Sequence, residues 1–371
     1  MRHKAISCPF IILLLLGLLV LTGCGSPDRE PAGGSDAPCI ELVDAAGQTV
    51  AFGELPRRIV VVGRGPHMVL HLLYMFPEAG ERLVGMEKKG GTVSDFLPLV
   101  DPALEEKVVL ETNPNAEQIA ALEPDVVIMK NTMVDQLGKT LAEIGIPVVY
   151  VNLETPELFF KDLDNLGMLL GNEERAREIR NFYSSRLQRF QEVAGSLSEE
   201  DKPRVLLVEY SDRGGAVAVQ VPAKSWMQTI QVQVAGGNPV WLEAVQLTDS
   251  WTVTNLEQIA RWDADKIFLV VWYTLNPREV ISSLKTDPRW SELRAVKNNE
   301  LYAFPSDIYG WDSPEPRWIL GMIWLAAKMH PHLFADINLE EEIYSFFEQM
   351  YGLDRDVIAD QIMPAVQLDV H

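Results

Sequence analysis

The feature that most constrains the fold is an internal repeat. Residues 115–125 (NAEQIAALEPD) and residues 255–265 (NLEQIARWDAD) are identical at six of eleven positions, at an offset of 140 residues. Each copy leads into an apolar run, DVVIM in the first and DKIFL in the second. Two common helix-to-strand motifs could match by coincidence, but matched polar and apolar positions followed by the same element favour duplication. The repeat predicts two lobes that are structural copies of each other.

Strand and helix patterns alternate in the first half of the chain. Residues 58–63 (RIVVVG) are a β-branched run that ends in Gly, and Pro66 begins a stretch with helical apolar periodicity. A helix is predicted for 117–122, a buried strand for 125–129, a helix for 134–144 and a strand for 147–151. Strands that alternate with helices in this way indicate a mainly parallel sheet.

The middle of the chain carries no strand signal. From Pro156 to about residue 194, apolar residues recur at helical spacing, and Asn172 is a plausible helix cap within this stretch. Alternation resumes with strands at 204–210 and 266–272, and the chain ends with helices at 318–329 and 339–351.

These patterns predict an α/β fold with two lobes, each a mainly parallel sheet flanked by helices, and one long helix that joins them. The predicted N-terminal lobe covers 40–155, the linking helix 156–200 and the C-terminal lobe 201–371. A ligand cleft is expected between the lobes.

The N-terminus resembles a lipoprotein signal. A basic start at residues 2–4 precedes an apolar run over 9–21 that is too short to be a good membrane span, and Leu21-Thr22-Gly23-Cys24 follows. This arrangement resembles the lipobox of bacterial lipoproteins, in which the cysteine is lipidated and becomes the first residue after cleavage. The resemblance implies a signal peptide over 1–23, lipidation of Cys24, and an extracytoplasmic protein anchored to the membrane in the periplasm or at the cell surface. The alternative is a plain secretory signal with an incidental cysteine.

Composition defines a tether and excludes some partners. Residues 24–39 are rich in Gly, Pro, Ser and Asp and cannot bury a core, which predicts a flexible tether. The 32 Lys and Arg against 53 Asp and Glu give a net charge of -21, which argues against nucleic acid because a phosphate backbone requires clustered cations. The 3 cysteines, of which Cys39 stands alone beyond the lipobox, give no disulfide framework.

Four strings occur in an order that resembles a known family: LPRRIVV (55–61), RLVG (82–85), NAEQI (115–119) and SPEPRW (313–318). They resemble the cobalamin, haem and ferric-siderophore binding proteins of ABC importers over nearly the whole chain after the tether. The resemblance implies two lobes joined by one rigid helix, a monomer, no enzymatic activity and no cofactor. It also implies that Glu117 and Glu257 dock on arginines of a permease dimer. The alternative for each glutamate is a solvated side chain that interacts with the helix dipole.

Ligands of open α/β sheets bind outside the carboxyl ends of the strands, so the loops after the strands nominate the ligand contacts. In the first lobe these loops supply Arg64, Pro66, His67, Lys88, Asn131 and Thr132, with Lys89 and Lys130 beside them. In the second lobe they supply Tyr210, Trp272, Tyr273, Ser306, Asp307, Tyr309, Trp311 and Asp312, with Trp226 and Trp251 nearby in sequence and Arg317 following in SPEPRW. One side is basic and the other is aromatic and partly acidic. A ferric siderophore, haem or corrinoid, with a broad apolar surface and anionic edges, satisfies both sides.

Two other ligand classes stay open. His67 and His71 lie one helical turn apart, as in divalent-metal sites, but His71 falls among apolar residues and no acidic or His-rich loop accompanies the pair. Molybdate or tungstate, which related proteins of this fold carry, would suit Arg64 and the helix start at Gly65-Pro66-His67. An oxyanion would give the aromatic residues no role in ligand binding.

A chelatase-like enzyme is the competing class. Gly63-Arg64-Gly65 after a strand is half of a dinucleotide fingerprint, but Met68 stands where a third Gly or Ala is needed. The fold alone does not exclude catalysis. The lipobox and tether argue against it, because chelation in tetrapyrrole synthesis is cytoplasmic.

Some of the nominated ligand contacts also have a simpler structural interpretation. Trp272 and Tyr273 would cap a strand, Lys88 would lie in a solvated turn, and Arg317 would cap local carbonyls.

Overall fold

Two large β-sheets and one two-stranded antiparallel sheet organise the described part of the chain in the computed structural model, which describes residues 39–88, 95–212, 215, 217–245 and 250–368. The predicted signal peptide, Cys24, Lys89 and the tether up to residue 38 lie outside the described residues. The strands are β1 (Ile40–Val43), β2 (Thr49–Phe52), β3 (Ile59–Val61), β4 (Leu83–Glu87), β5 (Val108–Leu110), β6 (Val126–Lys130), β7 (Val148–Val151), β8 (Arg204–Ser211), β9 (Ala218–Val221), β10 (Asn238–Pro239), β11 (Thr252–Thr254), β12 (Lys266–Val271) and β13 (Leu301–Ala303). The α-helices are α1 (Pro66–Leu73), α2 (Ala79–Arg82), α3 (Leu97–Val100), α4 (Ala116–Ala120), α5 (Lys139–Glu143), α6 (Pro156–Leu170), α7 (Glu173–Ser196), α8 (Met227–Val234), α9 (Leu256–Trp262), α10 (Pro277–Thr286), α11 (Arg294–Lys297), α12 (Trp318–Met329), α13 (Leu339–Tyr351) and α14 (Arg355–Val357).

The first sheet has the strand order β5-β4-β3-β6-β7, and every pair in it is parallel. Its central strands β3 and β6 are Val- and Ile-rich runs that are buried along their whole length. A strand that is apolar on both faces is what a parallel sheet covered by helices requires. The predicted parallel sheet of the first lobe, which we define as the part built on this sheet, is confirmed.

The second sheet has the order β11-β9-β8-β12-β13 and forms the second lobe. Its strands β8, β12 and β13 are parallel, as is the short β10 beside β8, whereas β9 and β11 add antiparallel pairs on one side. The sheet is therefore mixed, with a parallel centre. The carboxyl ends of β8, β12 and β13 share one edge, as the strand-and-helix alternation predicted.

The internal repeat is a repeat of helix caps. The side chain of Asn115 accepts the backbone N–H of Gln118 at 2.9 Å at the start of α4, and Asn255 accepts that of Gln258 at 2.9 Å at the start of α9. Each cap satisfies a backbone donor that the first turn of a helix leaves without an intrahelical partner. The Asn and Gln shared by the two copies are therefore structural, and the Glu between them is exposed in both.

The two lobes also share a contact at the other end of these helices. The guanidinium of Arg58 donates to two carbonyl groups after α4, and Arg204 does the same at the end of α9. The Asp125 carboxylate accepts the backbone N–H of Arg58 at 2.9 Å, and Asp265 accepts that of Arg204 at 2.8 Å. The duplication predicted from sequence is thus present in the hydrogen bonds.

The linking segment consists of two helices rather than one. α6 ends at Gly171, whose φ of 68° is left-handed, and a Cβ atom there would lie 2.8 Å from the side chain of Leu55. Asn172 then caps the 24-residue α7 by accepting the backbone N–H of Arg175 at 3.0 Å. The predicted cap is confirmed. It marks a break in the helical segment because only Gly adopts this turn without strain.

The last helices complete the core of the second lobe. α12 and α13 span the predicted ranges, and α12 packs against α7, α8 and α13. Its 12 residues are buried on almost every side. Among the described residues, no helix combines the length and the apolar content needed to cross a membrane.

The cap repeat leads to a test of stability. Asn115→Ala and Asn255→Ala should each lower the free energy of unfolding by about 1 kcal/mol, because each removes one cap hydrogen bond. Asn115→Asp and Asn255→Asp keep an acceptor and should stay close to wild type. Chemical denaturation of the four variants measures this. Equal stability of the Ala and Asp variants at either position would contradict the structural role of the repeat.

Candidate ligand-binding site

The carboxyl edges of the two sheets meet at one ring contact. His67 lies in the first turn of α1, after β3, and Tyr309 lies in the loop after β13. Their ring centroids are 4.6 Å apart and the planes are tilted by 58°. His67 is buried and Tyr309 is half-buried. Because ligands of such sheets bind beyond the carboxyl ends of the strands, the loops around this contact are the candidate site.

The first-lobe side is a tight turn that presents one arginine. Gly63 and Gly65 have left-handed φ values of 96° and 66°, and a Cβ atom on Gly63 would lie 2.9 Å from Met133. The backbone N–H of Gly63 donates to the Glu87 carboxylate at 2.6 Å. Arg64 lies between the two glycines, is exposed, and forms no ion pair with any described residue. Pro66 is buried in the first turn of α1, where its fixed φ suits a helix start.

The other predicted first-lobe contacts are partly occupied. The Lys88 ammonium lies 3.7 Å from the exposed carboxylate of Glu111, and Asn131 donates to the carbonyl of Ala45 at 3.3 Å. Thr132 is exposed. Arg64 is therefore the cation of this side that is most available to an anionic group.

The second-lobe side carries two pairs of aromatic rings at its loops. Trp272 and Tyr273 follow β12 with centroids 4.6 Å apart, and Tyr273 is 47% exposed. Trp226, at the start of α8, packs edge-on against Trp251 at 5.7 Å. Tyr210, near the end of β8, is half-buried. Partly exposed aromatic rings offer a large apolar surface with little loss of conformational entropy on binding.

An acidic group lies beneath the same loops. Asp312 is buried, accepts a hydrogen bond from the Gln228 amide at 3.0 Å, and has no cationic partner among the described residues. Burial raises the pKa of Asp312 to about 6. Burial also raises the pKa of Tyr309, with a further contribution from the nearby carboxylates of Asp312 and Glu315. This side is aromatic and acidic, as the sequence predicted.

Three of the ligand contacts predicted for the second lobe are buried: Asp307, Trp311 and Arg317. Trp311 and Arg317 are 0% exposed. The Arg317 guanidinium donates to Glu315 at 2.8 and 2.6 Å and to Asp307 at 2.7 Å. Because Arg317 and Asp307 neutralise each other in the interior, we do not retain them, or Trp311, among the proposed ligand contacts. The suggested capping of local carbonyls by Arg317 is replaced by these ion pairs.

The histidine pair does not have the geometry of a metal site. The ring centroids of His67 and His71 are 6.0 Å apart. In His71, Nδ1 lies 3.0 Å from Glu315 and Nε2 lies 3.1 Å from Asp95. Both ring nitrogens therefore face carboxylates, which leaves no lone pair of His71 directed at a metal ion.

Sequence reasoning did not assign Asp95, His71 or Glu315 to a common cluster. The sequence did contain a signal for such a cluster. It has a histidine on the apolar face of α1 and two opposite charges in SPEPRW, and buried polar groups of this kind must find partners. The partners of His71 in this string lie at sequence separations of 244 and 246 residues. Local patterns do not encode such distant pairs.

The two glutamates of the repeat are equivalent in position. Glu117 and Glu257 each lie in the first turn of a capped helix, α4 or α9, and each is exposed. Neither side chain forms a hydrogen bond or an ion pair with a described residue. Their arrangement is compatible with both the docking role and the solvated alternative.

Comparison with known proteins gives relatives along most of the chain. The chain is 25% identical over 331 residues to the uncharacterized ABC transporter substrate-binding lipoprotein YvrC of Bacillus subtilis, covering 87% of this chain and 97% of YvrC. It is 23% identical over 256 residues to the molybdate-binding protein MolA of Haemophilus influenzae, covering 64% and 70%. It is 23% identical over 319 residues to the Fe(3+)-citrate-binding protein YfmC of Bacillus subtilis, covering 80% and 89%.

The fold is also known. A crystal structure of a periplasmic solute binding protein from Veillonella parvula matches with a TM-score of 0.69 at 24% identity, covering 87% of this chain and 97% of that one. The sequence pattern of the family described as "Periplasmic binding protein" matches residues 88–308. The chain therefore belongs to the periplasmic binding protein family and is the substrate-binding component of an ABC transporter.

Proposed function

We propose that this protein captures a chelated iron complex (a ferric siderophore or haem) or a corrinoid, and delivers it chemically unchanged to its permease. The observation that carries the proposal is the pair of aromatic clusters on the second lobe, Trp272 with Tyr273 and Trp226 with Trp251. Metal chelates of this kind present broad apolar or π surfaces, which such rings recognise.

The first-lobe side of the site supplies a positive charge for the anionic edge of such a ligand. Arg64 is exposed just before α1, in the tight turn between Gly63 and Gly65. Its guanidinium can pair with a carboxylate of haem or of a siderophore. The relative YfmC, named as a ferric-citrate-binding protein, supports an iron complex as the cargo.

A second candidate is molybdate or tungstate. It is favoured by the relative MolA, named as molybdate-binding, and by the position of Arg64 beside a helix N-terminus, where backbone N–H groups attract anions. A small oxyanion would make no use of the apolar surface that the four rings of the second lobe present. For this reason we rank the chelate first.

Delivery requires docking on a permease and retention near the membrane. We assign docking to Glu117 and Glu257, whose matched positions on the two lobes suit the two-fold symmetry of a permease dimer. We assign anchoring to lipidated Cys24, after removal of residues 1–23, with residues 24–39 as the tether. The name of YvrC as a lipoprotein supports this assignment.

Hemin or a ferric siderophore should quench tryptophan fluorescence at micromolar concentration or below. Trp272→Ala and Tyr273→Ala should each raise the dissociation constant about tenfold, because each removes ring contact with the ligand. Calorimetric titration measures this without relying on the fluorophore. Leu333→Ala is the matched control, since Leu333 is 46% exposed and Tyr273 is 47% exposed.

Tight binding of sodium molybdate, with no response to any chelate, would replace the chelate by the oxyanion as the ligand. Binding that is unaffected by both aromatic substitutions would remove the aromatic wall from the site.

The double variant Glu117→Arg with Glu257→Arg should abolish uptake and leave the ligand dissociation constant unchanged. Losing one partner of a desolvated charge pair costs about 2 to 5 kcal/mol, and neither residue lies among the proposed ligand contacts. Each single reversal should give an intermediate transport rate.

Glu340→Arg is a matched control for this experiment. Glu340 is exposed at the second position of α13 and follows Asn338 and Leu339, as Glu257 follows Asn255 and Leu256. It should transport like wild type. Normal uptake by the double variant, or an equal loss in Glu340→Arg, would argue against specific docking.

Cys24→Ala should release the protein from the membrane fraction, or leave it as an uncleaved precursor, with an unchanged circular dichroism spectrum. The reason is that the thiol is the only group of the lipobox that can carry the lipid. Mass spectrometry of the membrane and soluble fractions measures the outcome. A mature, lipid-modified Cys24→Ala protein would refute the assignment.

A further inference from the structure

A continuous chain of buried polar contacts crosses the junction between the lobes. On the first lobe, His71 Nε2 lies 3.1 Å from Asp95, and Nδ1 lies 3.0 Å from Glu315 of the second lobe. Glu315 is paired with Arg317, which donates to the Asp307 carboxylate at 2.7 Å. We name these five residues the junction cluster.

The junction cluster ends at the candidate ligand site. The same Asp307 oxygen that accepts from Arg317 also accepts the backbone N–H of Tyr309 at 3.1 Å. The ring of Tyr309 then contacts His67, which lies one helical turn before His71 on α1. The contacts therefore lead from His71 of α1 through the second lobe to Tyr309, and from Tyr309 back to His67 of α1.

The geometry indicates the protonation state of His71. A neutral imidazole has one N–H donor, and its other nitrogen carries a lone pair. Both nitrogens of His71 lie within hydrogen-bonding distance of carboxylate oxygens, and Nδ1 lies nearer to Glu315 (3.0 Å) than to Arg317 Nη2 (3.2 Å), so the contacts favour an N–H donor on each nitrogen. An imidazolium donates to both.

Charged and titratable groups surround the His71 ring from both lobes. Asp95 and Glu315 favour the imidazolium, whereas Arg317 Nη2, 3.2 Å from Nδ1, opposes it. Tyr351 donates its hydroxyl to the His71 carbonyl at 3.0 Å, and His67 and Phe96 present ring contacts at centroid distances of 6.0 and 4.8 Å. Farther from the ring lie Asp307, which pairs with Arg317, and Tyr183, near Glu315. With His71 protonated, three carboxylates face two cations. With His71 neutral, Arg317 is the cation of the junction cluster that remains.

We propose that the proton on His71 is a latch that holds the loop 305–317, and with it Tyr309, against the first lobe. His71 is a positioning residue in this proposal: it is 0% exposed and acts on the ligand site through Glu315, Arg317 and Asp307. When the proton leaves, the ion pairs of His71 with Asp95 and Glu315 are lost, and the loop is held less tightly against the first lobe. The latch does not depend on which ligand the cleft binds.

The direction of the pH effect follows from proton linkage. Burial lowers the pKa of His71, but Asp95 and Glu315 together hold it above its ordinary value of 6.5. A group whose pKa is raised on folding stabilises the fold below its unfolded pKa, and this contribution is lost as the pH rises through the folded pKa. Burial raises the pKa of Glu315, but Arg317 and His71 lower it to about 2, so Glu315 stays ionised across that range. The latch is therefore closed in mildly acidic solution and opens as the pH rises through the raised pKa of His71.

The first test reads the proton directly in the wild-type protein. In ¹⁵N NMR spectra of histidine-labelled protein, both ring nitrogens of His71 should be protonated in mildly acidic solution, with a titration midpoint above that of an exposed histidine. His71→Gln assigns the signals. A titration midpoint of the His71 ring at or below that of an exposed histidine would overturn the proposal.

The second test measures how strongly the loop 305–317 is protected from hydrogen exchange at different pH values. Hydrogen exchange of the backbone amides of Tyr309 and Trp311, corrected for the intrinsic rate, should lose protection by about tenfold as the pH rises through the His71 midpoint. Asp95→Asn should move this loss to lower pH, because it removes one carboxylate that holds the proton. His71→Gln should abolish the pH dependence.

Two controls separate the latch from other titrations. His330→Gln removes a buried histidine that lies outside the junction cluster and outside the loop 305–317. Its Nε2 lies 3.1 Å from the Gly236 carbonyl. This variant should keep the wild-type dependence of amide protection on pH. Asp312→Asn removes a carboxyl near Tyr309 whose pKa burial raises to about 6, and it should also keep the profile. Protection independent of pH in the wild type, or a wild-type profile in His71→Gln, would overturn the latch.

Discussion

The buried guanidinium of Arg317 is the interaction on which the junction between the lobes depends. It is 0% exposed and pairs with Glu315 and Asp307 in the interior. A charge in this position is tolerated only with partners of good geometry, and removing one partner of such a pair typically costs about 3 to 5 kcal/mol. The loop that carries Arg317 is held from other directions too: Tyr183 of α7 donates its hydroxyl to the Pro316 carbonyl at 2.6 Å, and Gln231 of α8 donates to the Trp311 carbonyl at 2.9 Å. One loop thus ties both lobes and the linking helix together.

Much of the fold follows from local sequence patterns. Apolar β-branched runs predicted the central strands, helical periodicity predicted α12 and α13, and Asn172 marked a true cap. These features succeed because strands, helices and caps are determined by residues within a few positions of each other. The division of the linking segment at Gly171 was not anticipated, because a single glycine in a helical pattern does not reveal a left-handed turn.

The candidate site was predicted less completely, for a different physical reason. The exposed positions Arg64, Trp272 and Tyr273 were nominated by their place after strands, which is a local property. Arg317 was nominated in the same way, although the structure buries it with Glu315 and His71. Whether a charged residue faces a ligand or an internal partner depends on residues far away in the sequence, and the partner of Glu315 lies 244 positions distant. Charge and loop position alone do not separate the two outcomes.

Each part of the cleft has its own role. In the proposed function, the second lobe supplies aromatic contact with the ligand, the first lobe supplies a cation, and the charged junction holds the two in register. The central claim is that the cargo is a metal chelate with a broad apolar surface. The most direct measurement is mass spectrometry, with elemental analysis, of the ligand extracted from protein purified under mild conditions. An iron chelate, haem or corrinoid is predicted in the extract, and molybdenum or tungsten without an organic chelator would contradict the claim.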